Sequence, residues 1–303
     1  MEKATIFKIA KTSDQEYLKG WTKIFLKGCP LRCKWCDTPE SFRRTPDFYI
    51  NDDTCIKCGK CVDSCTSAAL YVEGTRIIHN VSNCQMCEKC IAVCPNHSIQ
   101  IIGNTVRTDE LLEQILADGE SNGVILTGGE PYMQPKFTLE MLKLLRENGV
   151  PTAVDTSGYT SMEHLRQTAP YVDYFLYDIK HIDPKVHSKY TGVSNQLILE
   201  NLKELCSIHH NVIVRIPLVE GFNTDDETLD SLFSLIAEYG ASQIQLLPFL
   251  HTERERFYHI ASFKVSDAEF GPLRESSLER ALDLGKHYGN LITTAVHDVI
   301  EVK

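Results

Sequence analysis

The chain has 303 residues, of which 43% are hydrophobic and 24% are charged, a composition typical of a globular protein with a sizeable core. Its formal net charge of −10 argues against a basic surface for nucleic acid. No secretory apolar segment follows the first residues, and no apolar run reaches the roughly 18 residues that a transmembrane helix needs. We therefore expect a cytoplasmic protein that has neither nucleic acid nor membrane as a partner.

The cysteine content is unusual for such a protein. There are 12 cysteines, and all but Cys206 fall between Cys29 and Cys94. Disulfide frameworks belong to small secreted domains, so this clustering indicates metal binding. Cys206 is expected to be an ordinary thiol on a helix.

The first predicted strand, Trp21–Leu26, runs directly into a cysteine motif. The motif has C-x3-C-x2-C spacing and consists of Cys29, Cys33 and Cys36. Three thiolates on one loop can hold three irons of a 4Fe–4S cluster and leave the fourth iron open to an exogenous ligand, which indicates a catalytic cluster. The alternative is a zinc site completed by His79 or His97, but no C-x2-C/H-x3-H pattern accompanies the cysteines.

A short internal repeat comes next. The segment from Cys55 to Cys65 recurs from Cys84 to Cys94, each copy with C-x2-C-x2-C-x3-C spacing. This is the bacterial ferredoxin signature, in which the fourth cysteine of each run ligates the other cluster. The predicted ligands are Cys55, Cys58, Cys61 and Cys94 for one 4Fe–4S cluster, and Cys84, Cys87, Cys90 and Cys65 for the second. A double zinc ribbon is the alternative, but four closely spaced cysteines suit a cube better than a tetrahedron.

Beyond the repeat, short apolar strands alternate with helices. The predicted strands are Gly123–Leu126, Thr152–Val154, Tyr174–Leu176, Val212–Ile216 and Ile244–Leu247. The predicted helices include Glu140–Glu147, Leu197–Cys206 and Glu227–Glu238. This alternation predicts an α/β fold with a mainly parallel sheet, and six strands suit an incomplete (β/α)6 barrel with chemistry at the C-terminal strand ends. Residues 1–47 and 105–303 would form the barrel, and residues 48–104 an inserted ferredoxin domain.

The cysteine motif resembles that of the radical S-adenosylmethionine (SAM) superfamily. The resemblance rests on Cys29, Cys33 and Cys36 with Trp35 before the last cysteine, and on a second motif after the next strand. That second motif reads Thr127-Gly128-Gly129-Glu130-Pro131. The resemblance implies that SAM chelates the open iron, that the segment Gly128, Gly129 and Glu130 binds its amino group, and that Trp35 lies near its adenine.

The order of motifs is similar to that of the glycyl radical enzyme activating enzymes, which resemble pyruvate formate-lyase activating enzyme. Within this family it resembles the branch that has an inserted two-cluster ferredoxin domain. Further matches end predicted strands or follow the cysteines. They are Thr38-Pro39-Glu40-Ser41, Asp155-Thr156-Ser157-Gly158, Asp178-Ile179-Lys180, Val214-Arg215-Ile216-Pro217 and Leu246-Leu247-Pro248-Phe249. On this resemblance, the further SAM-binding candidates are Asp155, Ser157, Arg215 and His251.

The resemblance implies SAM and three 4Fe–4S clusters as cofactors, a glycyl radical enzyme as protein substrate, and flavodoxin or ferredoxin as electron donor. Two features depart from the family pattern. The HDGPGIR-like stretch before the cysteines is replaced by DQEYLKGWTK over residues 14–23, and the histidine after the Leu-Leu-Pro segment is shifted to His251.

Two other functions stay open at this point. One is a radical SAM enzyme that acts directly on a small molecule or on another peptide. The other is an electron-transfer protein without catalysis, against which Glu130 and the three-cysteine site argue, because a carrier needs no open iron. The sequence does not name the partner.

Overall fold

The computed structural model describes residues 1–13, 17–249 and 270–294. The strands of the main sheet are β1 (Lys3–Lys11), β2 (Thr22–Leu26), β7 (Asn104–Arg107), β8 (Val124–Gly128), β9 (Thr152–Thr156), β10 (Tyr174–Asp178), β11 (Val212–Leu218), β12 (Gln243–Pro248) and β13 (Ile292–Thr294). The helices that accompany it are α3 (Thr108–Asp118), α4 (Pro135–Glu147), α5 (Met162–Thr168), α6 (Pro184–Thr191), α7 (Gln196–Ile208), α8 (Asp226–Tyr239) and α9 (Glu275–Gly285).

The nine strands are ordered β13-β12-β11-β10-β9-β8-β2-β1-β7. All neighbours from β2 through β8 to β13 pair in parallel, whereas β1 pairs antiparallel with both β2 and β7. The six strands predicted from the sequence are therefore confirmed, and so is the mainly parallel sheet. The antiparallel edge formed by β1 and β7 was not predicted.

The two faces of this sheet have different neighbours. One face packs on the helices. The apolar positions of each helix recur every three or four residues, so they lie on one side of the helix, and that side faces the sheet. Leu126 and Val214 of the sheet belong to the same core as Leu142 of α4, Leu202 of α7 and Phe233 of α8. None of the described helices is long and apolar enough to cross a membrane.

The opposite face divides into an apolar and a polar layer. At the amino-terminal ends of the strands, Leu18 and Trp21 pack together with Ile125, Ala153, Leu176 and Ile213. Side chains two positions further along a strand point to the same face, so Thr127, Asp155, Asp178 and Arg215 form the next layer. The apolar layer thus fills the base of this face, and the polar layer lies above it at the carboxyl ends of the strands.

Residues 47–102 form a smaller unit with its own elements. They are β3 (Asp47–Ile50), α1 (Lys60–Asp63), β4 (Leu70–Glu73), β5 (Arg76–His79), α2 (Lys89–Ala92) and β6 (Ile99–Ile102). The first and last strands pair antiparallel, so the segment begins and ends side by side, and β4 pairs with β5. Phe48, Ile50, Leu70 and Ile99 form a separate small core together with cysteines of the repeat.

A buried histidine predicts how the stability of the protein depends on pH. His187 of α6 is 1% exposed, and its Nδ1 lies 2.7 Å from the carbonyl oxygen of Val193. Burial lowers the pKa of His187 to about 4. Between pH 6.5 and 4 the unfolded chain binds a proton that the folded chain does not bind, so stability falls as the pH falls through this window.

At pH 5 we expect the free energy of unfolding of the wild type to be roughly 2 kcal/mol lower than at neutral pH because of His187. The measurement is the melting temperature at pH 7.5 and pH 5 for the wild type and for His187→Gln, which should lose less on acidification. The exposed His210→Gln serves as the matched control and should keep the wild-type difference. An equal acid response in all three proteins would contradict the prediction.

Candidate active site

A cavity of about 480 Å³ lies at the carboxyl ends of the parallel strands. This is the edge where α/β proteins bind their ligands, because the loops that follow the strands converge there. The residues in its wall include Lys8, Lys23, Phe25, Cys29, Leu31, Cys33, Trp35, Cys36, Asp37, Thr38, Ser41, Thr127, Gly128, Gly129, Asp155, Ser157, Asp178, Lys180, Arg215, Pro217, Leu247, Pro248 and Phe249. Its volume lies within the range of small-molecule and cofactor sites.

The three cysteines after β2 lie together in this wall. Their loop is held by backbone hydrogen bonds from Arg32 N to the carbonyl of Thr191 (2.7 Å) and from Cys36 N to the carbonyl of Cys33 (3.2 Å). Burial raises the pKa of Cys29 to about 12 and that of Cys33 to about 11. Thiols in such surroundings stay neutral unless positive charge arrives, and metal ligation supplies that charge.

The residues of the alternative zinc site lie elsewhere. His79 ends β5 in the smaller unit, where its ring packs 4.2 Å from the ring of Phe48, and His97 is exposed. Neither histidine belongs to the wall of the cavity. The geometry therefore argues against a zinc site that either histidine completes.

A turn after the cysteines fixes the position of the first one. The carbonyl oxygens of residues 40–42 accept hydrogen bonds in succession from three groups. These are Lys27 Nζ (2.7 Å), Gly28 N (2.6 Å) and Cys29 N (3.4 Å). Lys27 is fully buried, and its ammonium group thus ties the end of β2 to the turn. Hydrogen bonds from residues 27–29 to the carbonyls of residues 40–42 therefore fix the position of Cys29.

Gly128 and Gly129 allow two segments of backbone to meet. Gly128 has φ +117°, and a Cβ there would lie 2.3 Å from the backbone of Leu26. A Cβ on Gly129 would lie 2.2 Å from the carbonyl oxygen of Gly28 and 3.1 Å from Cys29 Cβ. Only glycine permits this approach, which brings the backbone of residues 128–129 beside the first cysteine.

The carboxylate of Glu130 lies inside the fold. It accepts hydrogen bonds from Thr156 Oγ1 (2.8 Å), Ser157 N (2.8 Å), Ser157 Oγ (2.6 Å) and Tyr132 N (3.3 Å). Burial raises the pKa of Glu130 to about 7, while these donors act in the opposite direction. Glu130 is fully buried and lies outside the cavity wall, so its side chain joins β8 to β9 while the two glycines face the cavity.

An ion-pair network crosses the polar layer. The guanidinium of Arg215 pairs with Asp178 (2.8 Å) and with Asp155, and Lys180 Nζ lies 3.0 Å from Asp178. Thr127 Oγ1 donates to Asp155 at 2.7 Å. Burial alone would raise the pKa of Asp178, but Arg215 and Lys180 hold it below its usual value. The network gives the cavity floor paired charges on three neighbouring strands, β9, β10 and β11, and on the loop that follows β10.

Trp35 packs in an aromatic group beside the cysteines. Its ring centroid lies 4.4 Å from that of Phe222 and 5.6 Å from that of Phe270. Leu31, Cys33 and Val219 belong to the same cluster. The indole is buried by these contacts and still belongs to the cavity wall.

The eight cysteines of the repeat lie in the smaller unit. Cys55, Cys58, Cys61 and Cys94 line one small cavity together, which is the crossed set that the spacing predicts. Backbone N–H groups point at two of the sulfurs, from Ala69 to Cys65 Sγ (3.2 Å) and from Ser98 to Cys94 Sγ (3.3 Å). Such donors are typical of protein sites that hold iron–sulfur clusters.

The backbone of the two copies is strained at matching positions. Within the described residues, every non-glycine residue with positive φ lies in this unit. They are Lys57, Ala68, Met86, Glu88 and His97. Lys57 and Met86 are equivalent in the repeat, as are Ala68 and His97, and Glu88 corresponds to Gly59, which also has positive φ. Such strain persists only where the surroundings enforce it, so the two copies share the same local backbone geometry.

Comparisons with known proteins indicate the family of this chain. A family model described as the radical SAM superfamily matches residues 89–232, and one described as a 4Fe-4S dicluster domain matches residues 47–95. The choline trimethylamine-lyase activating enzyme of Oleidesulfovibrio alaskensis is 39% identical over 82% of this chain and 84% of its own length. The trans-4-hydroxy-L-proline dehydratase activating enzyme of Clostridioides difficile is 37% identical over 77% and 80%.

This chain belongs to the glycyl radical enzyme activating enzymes of the radical SAM superfamily. The structure of a radical SAM methyltransferase from Sphaerobacter thermophilus is similar in fold, with a TM-score of 0.50 and 15% identity over 74% of this chain and 67% of that one. A dependence on SAM and on 4Fe–4S clusters follows from the two family models.

The activating enzyme brings most of its predicted site residues together. Cys29, Cys33, Cys36, Trp35, Gly128, Gly129, Asp155, Ser157 and Arg215 all belong to the cavity wall. His251 lies outside the described residues. Sequence reasoning gave no site role to Thr127, Asp178 or Lys180. The signal for Asp178 and Lys180 was the position of Asp178-Ile179-Lys180 at the end of a predicted strand.

Proposed function

We propose that the cavity at the strand ends is where this activating enzyme generates the radical that abstracts a hydrogen atom from a backbone glycine of a partner enzyme. The observation that carries this proposal is the convergence of Cys29, Cys33 and Cys36 with the glycine backbone at 128–129 around one cavity. The cluster, when bound and reduced, supplies the electron that cleaves SAM to methionine and a 5′-deoxyadenosyl radical.

The residues of the wall have separate tasks in this proposal. The three cysteines hold a 4Fe–4S cluster and, as three ligands, leave one iron for SAM. Gly128 and Gly129 allow close approach to the amino acid part of SAM, and Glu130 fixes their segment from below. Asp155, Ser157, Arg215 and His251 are the further SAM-binding candidates, and Trp35 supports the adenine side.

The polar network suits a site that has to exclude water while it binds a charged cofactor. Because Arg215 and Lys180 already have carboxylate partners, they need little rearrangement when SAM enters. The aromatic group around Trp35 closes one side of the cavity with apolar surface. A reactive radical requires such surroundings, since solvent would quench it.

The finer architecture belongs to the same proposal. Residues 1–47 and 105–303 form an incomplete (β/α)6 barrel, and residues 48–104 form an inserted ferredoxin domain with two 4Fe–4S clusters, giving three clusters in all. The small cavity lined by Cys55, Cys58, Cys61 and Cys94 supports the crossed ligation. A cytoplasmic flavodoxin or ferredoxin donates the electrons.

The identity of the partner is not decided by similarity. Three relatives are 37–39% identical to the chain, and they are named for choline trimethylamine-lyase, isethionate sulfite-lyase and trans-4-hydroxy-L-proline dehydratase. We propose only that the partner carries the glycine on a segment that can enter the cavity. Glycine suits this role because it lacks a Cβ and can approach closely.

The test is electron paramagnetic resonance of a mixture of the reduced enzyme, SAM and a candidate glycyl radical enzyme. We expect a doublet from a backbone glycyl radical that is absent without SAM and absent when the partner glycine is alanine. The Cys33→Ala variant is the control for radicals from other sources. Turnover of a small molecule or an unrelated peptide, with no glycyl radical on any candidate, would favour direct action on that substrate.

The inserted unit gives a separate prediction. Replacing Cys58 and Cys87 together should lower the iron content and slow reduction by a protein donor, because each change removes one ligand from one proposed ferredoxin cluster. SAM binding should persist, since neither residue lies in the wall of the larger cavity. Iron analysis and equilibrium dialysis with SAM measure the two effects. Complete loss of SAM binding would show that the unit is not an independent relay.

A further inference from the structure

Ser41 has a buried hydroxyl group whose hydrogen bonding is incomplete. The residue is 1% exposed, and its Oγ has no hydrogen-bond partner among the described residues. Burying a hydroxyl without a partner is unfavourable, and each such group in a folded protein calls for an explanation. Ser41 also belongs to the cavity wall, beside Cys29, Cys36 and Thr38.

The backbone of Ser41 is held in place, so it cannot easily move to give the hydroxyl another partner. Its carbonyl accepts the hydrogen bond of Gly28 N at 2.6 Å, and its own N–H donates to the carbonyl of Thr38 at 2.9 Å. The carbonyls on either side of it hold Lys27 Nζ and Cys29 N. The backbone of Ser41 is thus kept at a fixed place in the wall.

The neighbouring hydroxyl on the same turn identifies the kind of acceptor. Thr38 Oγ1 donates a hydrogen bond to the carbonyl oxygen of Gly128 at 3.4 Å and lies 3.9 Å from Cys36 Sγ, so this turn already places one hydroxyl beside a cysteine of the motif. Ser41 Oγ contacts no thiol at hydrogen-bond distance within the described part of the chain. Because the hydroxyl lies in the same wall as the three cysteines, the group that they would hold can supply the missing acceptor.

We propose that Ser41 donates a hydrogen bond to an inorganic sulfide of the cluster held by Cys29, Cys33 and Cys36. This inference rests on the proposed function of that site. A donated hydrogen bond stabilises the reduced cluster, which carries more negative charge, and so raises its reduction potential. Ser41 would then determine how easily the electron needed for SAM cleavage is accepted.

The main variant is Ser41→Ala. At a fixed donor potential, we expect the ratio of reduced to oxidised cluster to fall about tenfold, which corresponds to about 59 mV for a one-electron couple. The measurement is a potentiometric titration followed by paramagnetic resonance, using the signal that changes when SAM is added. That signal separates this cluster from those of the ferredoxin unit.

A second readout detects the hydrogen bond directly. Electron–nuclear double resonance of the reduced wild type should show a proton coupling that disappears in D₂O, and Ser41→Ala should lack it. Ser41→Thr keeps the hydroxyl and should keep both the potential and the coupling. Ser277→Ala is the matched control, because Ser277 is also 1% exposed but lies outside the cavity wall.

The outcomes separate this inference from the proposed function. Loss of the SAM-dependent signal in the wild type would remove the cluster assignment itself. If that signal is present and Ser41→Ala leaves the potential and the exchangeable coupling unchanged, the inference is wrong. A raised KM for SAM at unchanged potential would likewise overturn it, since the hydroxyl would then contact SAM. Ser41→Ala could fail to take up the cluster. In that case the inference is overturned if neither the wild type nor Ser41→Thr shows the exchangeable proton coupling.

Discussion

Replacement of Cys29, Cys33 or Cys36 by alanine should abolish reductive cleavage of SAM. Each change removes one of three thiols in the cavity wall, and a cube with two protein ligands would be lost or left with the wrong open iron. The measurement is formation of 5′-deoxyadenosine with dithionite in anaerobically reconstituted protein. We expect it to fall to background in all three variants.

The matched control for this series is Cys206→Ala. Cys206 lies on α7 and packs against the main core, away from the cavity wall. This variant should therefore keep the activity of the wild type. Wild-type activity in any one of the three loop variants would mean that the cysteines of the motif are not the cluster ligands.

Gly129→Ala should have the second largest effect, because the added methyl group meets backbone and not a flexible side chain. The Cβ would lie 2.2 Å from the carbonyl oxygen of Gly28, whose N–H is in turn held by Ser41. Overpacking of this kind costs about 1–3 kcal/mol and displaces the neighbouring backbone. That backbone leads into Cys29, so we expect at least a tenfold loss of SAM cleavage together with a lower melting temperature.

Gly271→Ala tests whether the loss is specific. Among the described residues, no heavy atom lies within 4 Å of the position that a Cβ would take at Gly271. Its melting temperature and SAM cleavage should match those of the wild type. The prediction fails if Gly129→Ala behaves like Gly271→Ala in both measurements.

The parallel part of the fold could be predicted because its signals are local. Each strand from β8 to β12 is a short apolar run bounded by turns, and the helices between them have apolar positions on one side. The two edge strands could not be predicted in the same way. β1 contains four polar or charged positions among nine residues, and its pairing with β7 joins segments about one hundred residues apart.

The cysteines of the candidate site could be predicted from spacing, but the contacts that support them could not. Arg215 finds Asp155 and Asp178 only because β9, β10 and β11 are neighbours in register. Trp35 meets Phe222 and Phe270, which are far away along the chain. No periodicity reports such contacts, since they depend on how separate elements pack.

Glu130 shows a different limit of sequence reasoning. The motif predicted that the segment Gly128, Gly129 and Glu130 binds SAM. In the structure the two glycines lie in the cavity wall, whereas the carboxylate of Glu130 accepts hydrogen bonds from Thr156 and Ser157 outside the wall. A motif identifies which residues occur together at a site. It does not say which of them face the ligand and which hold the others in position.

The pairing of β3 with β6 has a consequence for the genetic history of the chain. Asp47 is opposite Ile102, and Ile50 is opposite Ile99, so the smaller unit of residues 47–102 begins and ends at neighbouring points. If residues 51–98 were replaced by a turn of about two residues, β3 and β6 would form an ordinary β-hairpin. An in-frame insertion or deletion of residues 51–98 would therefore leave the pairing of β3 with β6 unchanged.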